Sequence, residues 1–363
     1  MSEIAISGYY GFSNAGDEAM LAAMIEVLGD LAPEATITVI SGNPDDTRRR
    51  HGVQAVHRLD VPSVMRLLKR SKLLISGGGS LLQDVTSERS LYYYLGVMWL
   101  AKRLGTPVML YSQGIGPVCG SLAQRVMRYV GNEAALITVR DEGSLEELRR
   151  LHILRPPQEV TADPVLAMHP VDKGLGRVIL KRHGLEGTAP LVGLAIREWQ
   201  GWDGYKEALA QAADHLVESC GARIVFLPMQ STEDIQAARK VQARMKQHSV
   251  VLQDAYTTGE LLSLVGNLDV LLGIRLHALI FAAIMQVPLI GISYDPKIER
   301  FLSMLGEKPI GSLRSLQAAE LSEAVQALLQ NPARPWLPRM RELRDKAYRA
   351  AELAVDLLNK KQG

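Results

Sequence analysis

With 363 residues, 47% of them hydrophobic and 22% charged, the chain is long enough for two domains and has the composition of an ordinary globular protein with a large core. A formal net charge of +2 offers no global field for nucleic acid. The longest uncharged apolar run near the middle, Leu91–Ala101, is too short to span a bilayer.

The N-terminal MSEIAISGYYG has no basic region and starts a strand at once, which argues against a signal peptide. Cys119 and Cys220 stand alone without CxxC spacing and fit a reduced, cytoplasmic chain. In chain order, Ile4–Ser7 reads as a strand, and residues 15–31 as a helix with apolar positions Met20, Leu21, Met24, Ile25 and Leu28. Residues 36–40 read as a strand, 61–69 as a helix, and 73–76 as a strand running into Gly77-Gly78-Gly79. Helices over 90–104, 122–130 and 143–151 alternate with strands at 108–112, 135–139 and around Val160. This rhythm implies a parallel sheet with helices on both faces.

His169–Gly174 breaks the pattern as an interdomain linker, after which the rhythm restarts. Strands are expected at 191–196, 223–227 and 250–252, and helices at 205–218, 233–246 and 258–265. The stretch Leu268–Lys297 follows: a strand to Leu272, Gly273, a helix over about 274–285, and a second strand over 289–292. A helix over 316–329 and an amphipathic tail helix over about 338–360 complete the chain. The expected fold is α/β, with two Rossmann-like, doubly wound domains facing a cleft in the GT-B manner. Their expected spans are 1–168 and 169–335, with 336–363 packing back across them.

Ligands of such sheets bind at the carboxyl edge. There the sequence places Arg275 and His277 at a helix opening, and Tyr294-Asp295-Pro296-Lys297 past the next strand. Free N–H groups at a helix start, with the full charge of Arg275, suggest an anion site. Of the eight histidines only His277 falls at a strand-to-helix edge; His51 and the others are expected in loops or on exposed helix faces. In the first half, GYYGFSNAGDEAM carries Asn14, Asp17 and Glu18 into a helix, and the two acids are equally readable as dipole complements. ISGGGSLLQD (Gly78, Gly79, Asp84) and SQGIGP (Gly114) place glycines at further strand ends, as packing turns or as a ligand floor. Arg140 and Arg197 each follow a strand. Arg140 reads either as a ligand contact or as a partner of Asp141 or Asp163, while Trp199 and Trp202 suit packing better than sugar stacking. The absence of a Walker loop, HExxH spacing and a GxSxG elbow argues against dinucleotide, zinc and serine-hydrolase chemistry.

Taken as an ordered set, GYYGFSNAGDE, ISGGGSLLQD, SQGIGP, VRDEGS, ADPVL, GIRLHALIFAA and ISYDPKI resemble the polysaccharide pyruvyl transferase family, most closely its CsaB-like branch. Ser112 stands where the family usually has glycine before QGIGP. The resemblance implies transfer of pyruvate from phosphoenolpyruvate, a co-substrate, to two hydroxyls of one sugar as a cyclic ketal, with release of phosphate and no further cofactor or metal. It further implies a lipid-linked acceptor built from N-acetylmannosamine and N-acetylglucosamine, a 4,6-ketal serving S-layer anchoring, and a cytoplasmic enzyme peripheral to the membrane. Arg140, His277 and Lys297 match the family's phosphoenolpyruvate-contacting residues. Arg275, Gly273, Arg197, Tyr294, Asn14, Asp17, Glu18, Gly78, Gly79, Asp84 and Gly114 are the expected substrate-binding set. Alternative readings are a sugar-nucleotide glycosyltransferase, which could use Glu299 to hold a ribose, and a non-catalytic polysaccharide-binding protein. The basic runs Arg48–Arg50 and Lys69-Arg70 read as a solvated face or as a contact with an anionic membrane.

Overall fold

A computed structural model describes residues 2–85, 87–199 and 202–360. The chain forms two units: one runs to Met168 and takes in the chain from Glu342 onward, the other is His169–Arg341.

The first unit is built from β1 (Ser2–Ser7), α1 (Ala15–Leu31), β2 (Ala35–Ser41), α2 (Pro44–His51), β3 (Gln54–His57), α3 (Val61–Arg70), β4 (Leu73–Gly77), α4 (Glu88–Arg103), β5 (Val108–Gln113), α5 (Ser121–Gly131), β6 (Leu136–Val139), α6 (Glu142–Arg150) and β7 (Gln158–Val160). Its seven strands lie in the order β3-β2-β1-β4-β5-β6-β7, all parallel. The central strands are buried on both faces, which is why they read as continuous apolar runs. Strand order reverses between β1 and β4. Right-handed crossovers therefore put α1 and α2 on one face and α3 to α6 on the other. One core joins Val64, Leu67 and Leu68 of α3, Leu91 and Leu95 of α4, Met127 of α5 and Leu148 of α6 to Leu74 and Leu110 of the sheet.

The second unit contains α7 (Gly174–Arg182), β8 (Leu191–Ala195), α8 (Gly204–Cys220), β9 (Arg223–Phe226), α9 (Ser231–Gln242), β10 (Ser249–Val251), α10 (Thr258–Val265), β11 (Val270–Gly273), α11 (Leu276–Ile284), β12 (Leu289–Ser293), α12 (Pro296–Leu305), β13 (Gly311–Ser312) and α13 (Ala318–Gln330). Its six parallel strands run β10-β9-β8-β11-β12-β13, with the reversal between β8 and β11. The last helix, α14 (Leu337–Asn359), places Ala347, Ala350, Ala351 and Ala354 in the interior. Its Arg344 donates to the Met168 carbonyl and its Arg349 pairs with Glu159 of the first unit. The tail expected to extend to residue 363 is described here to Lys360.

Elements not expected from the sequence include α2, β3, α7 and α12, the last although Ile298, Phe301, Leu302 and Leu305 recur at helical spacing. In α2 (PDDTRRRH) only Thr47 is buried; the helix forms because Asn43 caps it, Pro44 opens it, and Asp45 and Asp46 pair with the arginines that follow. The short β3 is half exposed, α7 follows directly on the expected linker, and α12 hides its start in the motif read as ligand-contacting, with Asp295 as N-cap and Pro296 next. The Arg48–Arg50 run does not offer loose charge, since each of its arginines has Asp45 or Asp46 as partner.

Candidate functional site

In the second unit β8, β11 and β12 end side by side, with Gly273 in register with Ala195 and Gly291. Helix α11 opens directly after β11. Its N-cap is Arg275, no side chain accepts its first-turn N–H groups, and His277, half-buried, lies in that turn. Such a bare helix start attracts an anion. The full charge expected of Arg275 is, however, compensated. Its Nε donates to Asp234 Oδ2 at 2.9 Å, and Nη2 donates to Asp234 Oδ1 and, at 3.3 Å, to Gln230 Oε1. Asp234 is 1% exposed and also accepts the N–H groups of Met229 and Gln230, both at 3.0 Å. Arg275 thus fastens the β11 loop to the start of α9.

Two other cations converge on Tyr294. The Arg197 guanidinium lies 5.1 Å from the Tyr294 ring centre and donates through Nη1 to its hydroxyl at 2.9 Å; Lys297 Nζ lies 5.5 Å from the same ring. Trp199 closes the stack at 4.8 Å from Tyr294 and 5.4 Å from Arg197. Arg197 Nε is buried and has no hydrogen-bond partner among the described residues. Asp295 caps α12 through the Lys297 N–H at 3.0 Å and leaves its other oxygen 3.5 Å from Lys297 Nζ. Glu299 accepts from Ser293 at 2.6 Å. The loop carrying Arg197 is braced by a lysine that no sequence motif marks. Lys206, 1% exposed, reaches Glu198 at 2.5 Å and Asp203 at 2.6 Å. Burial pushes the Glu198 carboxyl up, but Lys206 and Lys240 together outweigh it and hold the group below its ordinary value.

At the carboxyl edge of the first unit most charged groups are already paired. Asn14 is the N-cap of α1, accepting from Gly16 and Asp17. Glu18 accepts the Gly11 N–H at 2.8 Å and meets His51 Nε2 at 2.8 Å, both side chains being 6% exposed. The His51 side chain, expected on a surface, is therefore covered, because α2 folds back over the first turn. Asp84 accepts the N–H groups of Cys119 and Gly120 at 2.7–2.9 Å. Burial raises its carboxyl, yet those N–H groups win and leave it lowered.

The glycine turns of this edge interlock. Gly78 and Gly79 take φ of +76° and +74°, the left-handed region that favours glycine. The Gly78 carbonyl accepts from Gln113 and the Gly79 carbonyl from Gly114. The Asp17 carboxylate sits against Gly79, where a Cβ would meet it at 3.0 Å. Tyr10 donates to the Gly77 carbonyl at 2.7 Å, and burial, then the Asp17 charge, pushes its hydroxyl well above its ordinary value, so it stays a donor. Arg140 is 7% exposed and packs flat on Gly114, where a Cβ would lie 2.7 Å from Nη2. It donates to Ser80 at 2.9 Å and lies 3.6 Å from both Asp141 and Asp163. Ser80, exposed at the tip of the turn, is a further polar group of this edge that sequence reasoning passed over.

The family model for polysaccharide pyruvyl transferase matches residues 14–296, from the N-cap of α1 to the first residue of α12. The chain belongs to the polysaccharide pyruvyl transferase family. Membership makes it a transferase, and the match takes in both edges, stopping one residue before Lys297. No curated protein matches the chain by sequence. Solved structures similar to this pyruvyl transferase family member include MnaA of S. aureus with UDP, at 12% identity and TM-score 0.67 over 98% of this chain and 95% of that one. The UDP-GlcNAc 2-epimerase of Neisseria meningitidis is similar at 11% identity and TM-score 0.66 over 99% and 100% of the two chains. The E. coli ADP-heptose heptosyltransferase II is similar at 16% identity and TM-score 0.53 over 92% and 100%. These likenesses show the GT-B-type fold.

Ser112, which stands where the resemblance leads us to expect glycine, occupies a conformation that favours glycine. It adopts φ +46° at an irregularity of the β5–β6 pairing, and its hydroxyl is held by Thr161 at 3.0 Å. A non-glycine residue there carries left-handed strain.

Proposed function

We propose that the chain transfers pyruvate from phosphoenolpyruvate to a lipid-linked cell-wall precursor, forming the 4,6-ketal of an N-acetylmannosamine residue and releasing phosphate, as in the CsaB-like branch that supplies S-layer anchoring. The observation that carries the reading is the second-unit edge. A helix start without a side-chain acceptor, a histidine in its first turn and two cations sharing one tyrosine ring suit a small, multiply charged anion. Arg197 and Lys297 hold the phosphate and carboxylate of phosphoenolpyruvate, with Tyr294 orienting both cations; Gly273, expected to bind substrate, instead lets Leu279 pack on the strand end, where a Cβ would meet it at 2.9 Å. Arg275 acts on the ligand mainly by fixing the loop, as its charge is spent on Asp234.

The chemistry needs a proton delivered to the methylene carbon, which leaves an oxocarbenium-like centre at carbon 2. One sugar hydroxyl attacks that carbon, phosphate leaves, and the second hydroxyl closes the ketal. Of the two hydroxyl protons, one balances the new methyl group and the other leaves with phosphate. His277 is the general acid–base group of this sequence. Arg140 keeps the anion-contacting role that the family resemblance gives it, held in register by Asp141, Asp163 and Gly114. Asp17, beside Gly78 and Gly79, is the carboxylate best suited to contact a sugar hydroxyl. Asn14, Glu18 and Asp84 shape the turns instead.

The test is incubation with phosphoenolpyruvate and a lipid-linked N-acetylmannosamine–N-acetylglucosamine acceptor, following phosphate release and product mass. A product carrying one pyruvate ketal, formed in step with phosphate, is expected. Consumption of a UDP-sugar with no use of phosphoenolpyruvate would overturn the reading.

A further inference from the structure

The first unit carries an unequal distribution of charge that the proposed chemistry does not use. Helices α3, α4 and α5 lie on one face of the sheet, with α4 packed against both neighbours. Arg66, Lys69 and Arg70 belong to α3, Arg89, Lys102 and Arg103 to α4, and Arg125 and Arg128 to α5; Glu88 is their only acidic residue. These three helices thus carry eight basic residues to one acidic in a chain whose formal net charge is only +2. On the other face α1 carries Asp17, Glu18, Glu26 and Asp30 and no basic residue. Tyr348 of α14 faces Glu26 and Asp30 there.

The same basic face exposes large apolar side chains. Val61 and Met65 on α3 are 56% and 41% exposed, Trp99 on α4 44%, and Leu122 and Tyr129 on α5 60% and 56%. Between α4 and α5 lies a groove of about 340 Å³ walled by Trp99, Lys102, Arg103 and Tyr129. Arg103 stacks over Trp99 at 5.4 Å. Glu133 closes the end of the groove and is answered by Lys102 at 3.9 Å and Arg155 at 3.7 Å. Glu88 lies in the first turn of α4, at the opposite end from Lys102 and Arg103, and accepts from Tyr92.

We propose that the α3–α4–α5 face of the first unit docks on an anionic phospholipid surface. Tryptophan and tyrosine prefer the headgroup level, where an apolar body and a polar tip are both satisfied. Each basic side chain near an anionic leaflet adds about 1 kcal/mol of attraction, roughly fivefold in partitioning. Aliphatic and aromatic side chains interspersed with cations along one helical layer match that chemistry better than an acidic protein, whose recognition does not call for exposed Val61, Met65 and Leu122 together. No helix among the described residues is long and apolar enough to cross a membrane, so the contact is a peripheral one. The inference rests on this surface alone and holds whatever the enzyme transfers.

Sedimentation of the full chain with vesicles tests it. Wild-type protein is expected to pellet with vesicles of phosphatidylcholine and phosphatidylglycerol, to remain in solution with phosphatidylcholine alone, and to be released by raising salt. Arg125→Gln with Arg128→Gln is expected to lower partitioning about twenty-five-fold, fivefold for each charge. Trp99→Ser with Tyr129→Ser should also lower it and leave the remaining binding salt-sensitive. The control pair Arg49→Gln with Lys346→Gln, which removes two charges from the other face, should change it less than about twofold. Melting curves check folding, and Arg66→Gln with Lys69→Gln replaces any pair that melts early. Equal pelleting with neutral vesicles, equal loss in the control pair, or binding to nucleic acid or acidic protein without vesicle binding would overturn the proposal. None of these readouts depends on turnover, so they separate this surface from the pyruvyl transfer reading.

Discussion

At the carboxyl edge of the first unit's sheet the charged side chains answer one another, Glu18 with His51 and Arg140 with Asp141 and Asp163, whereas at the carboxyl edge of the second Arg197 and Lys297 gather on Tyr294 beside an uncapped helix start. The two edges share a topology and a sequence style of glycine turns followed by charged residues. They differ in what the partners do. At the first edge pairing holds glycine turns in a fixed shape; at the second, Asp234 neutralises Arg275 and Asp295 stands 3.5 Å from Lys297, while the buried Arg197 Nε keeps a donor that no described residue takes. A glycine turn and an arginine at a strand end therefore do not define a binding site until the partner side chains are known.

The comparison can be broken most strongly at His277. His277→Ala is expected to lower kcat by two to four orders of magnitude, the usual range for a lost general acid–base group, with an unchanged melting temperature. A variant with near-normal turnover would move the chemistry away from the second edge. Asp234→Ala should cost about 3–5 kcal/mol in denaturant unfolding because it strands Arg275 as an unpaired, half-buried cation. Loss of activity without loss of stability would mean that Arg275 already faces the ligand.

At the first edge, Glu18→Ala is expected to cost about 1–3 kcal/mol by leaving the Gly11 N–H and His51 without their acceptor, with KM for phosphoenolpyruvate unchanged. A raised KM with intact stability would make Glu18 a ligand group. Ser112 sharpens the same edge more gently. Ser112→Gly relieves the positive φ and should be about 1 kcal/mol more stable than Ser112→Ala, which loses the Thr161 contact and keeps the strain.

The fold was legible because both sheets are buried on two faces and their strands stand out as short apolar runs between helical periods. The missed helix α2 has almost no apolar side, and α12 begins inside a motif whose capping residues also look like ligand groups. The site was legible in its positions: strand ends mark where Arg197, Arg275, His277, Tyr294 and Lys297 fall. It was not legible in its pairings. Arg275 meets Asp234 and Glu18 meets His51 across 41 and 33 residues of chain, and Lys206 is buried beside Tyr205 because Glu198 and Asp203 fold over it. Such contacts depend on how loops fold over one another, and no local spacing encodes them.

The most direct measurement is calorimetric titration of phosphoenolpyruvate, without acceptor, into wild-type protein and into Arg197→Ala and Lys297→Ala variants whose melting curves match it. Each lost charge-assisted contact should weaken binding by about 1.5–3 kcal/mol, roughly ten- to a hundredfold. Wild-type affinity in both variants would contradict the placement of the anion at the second edge.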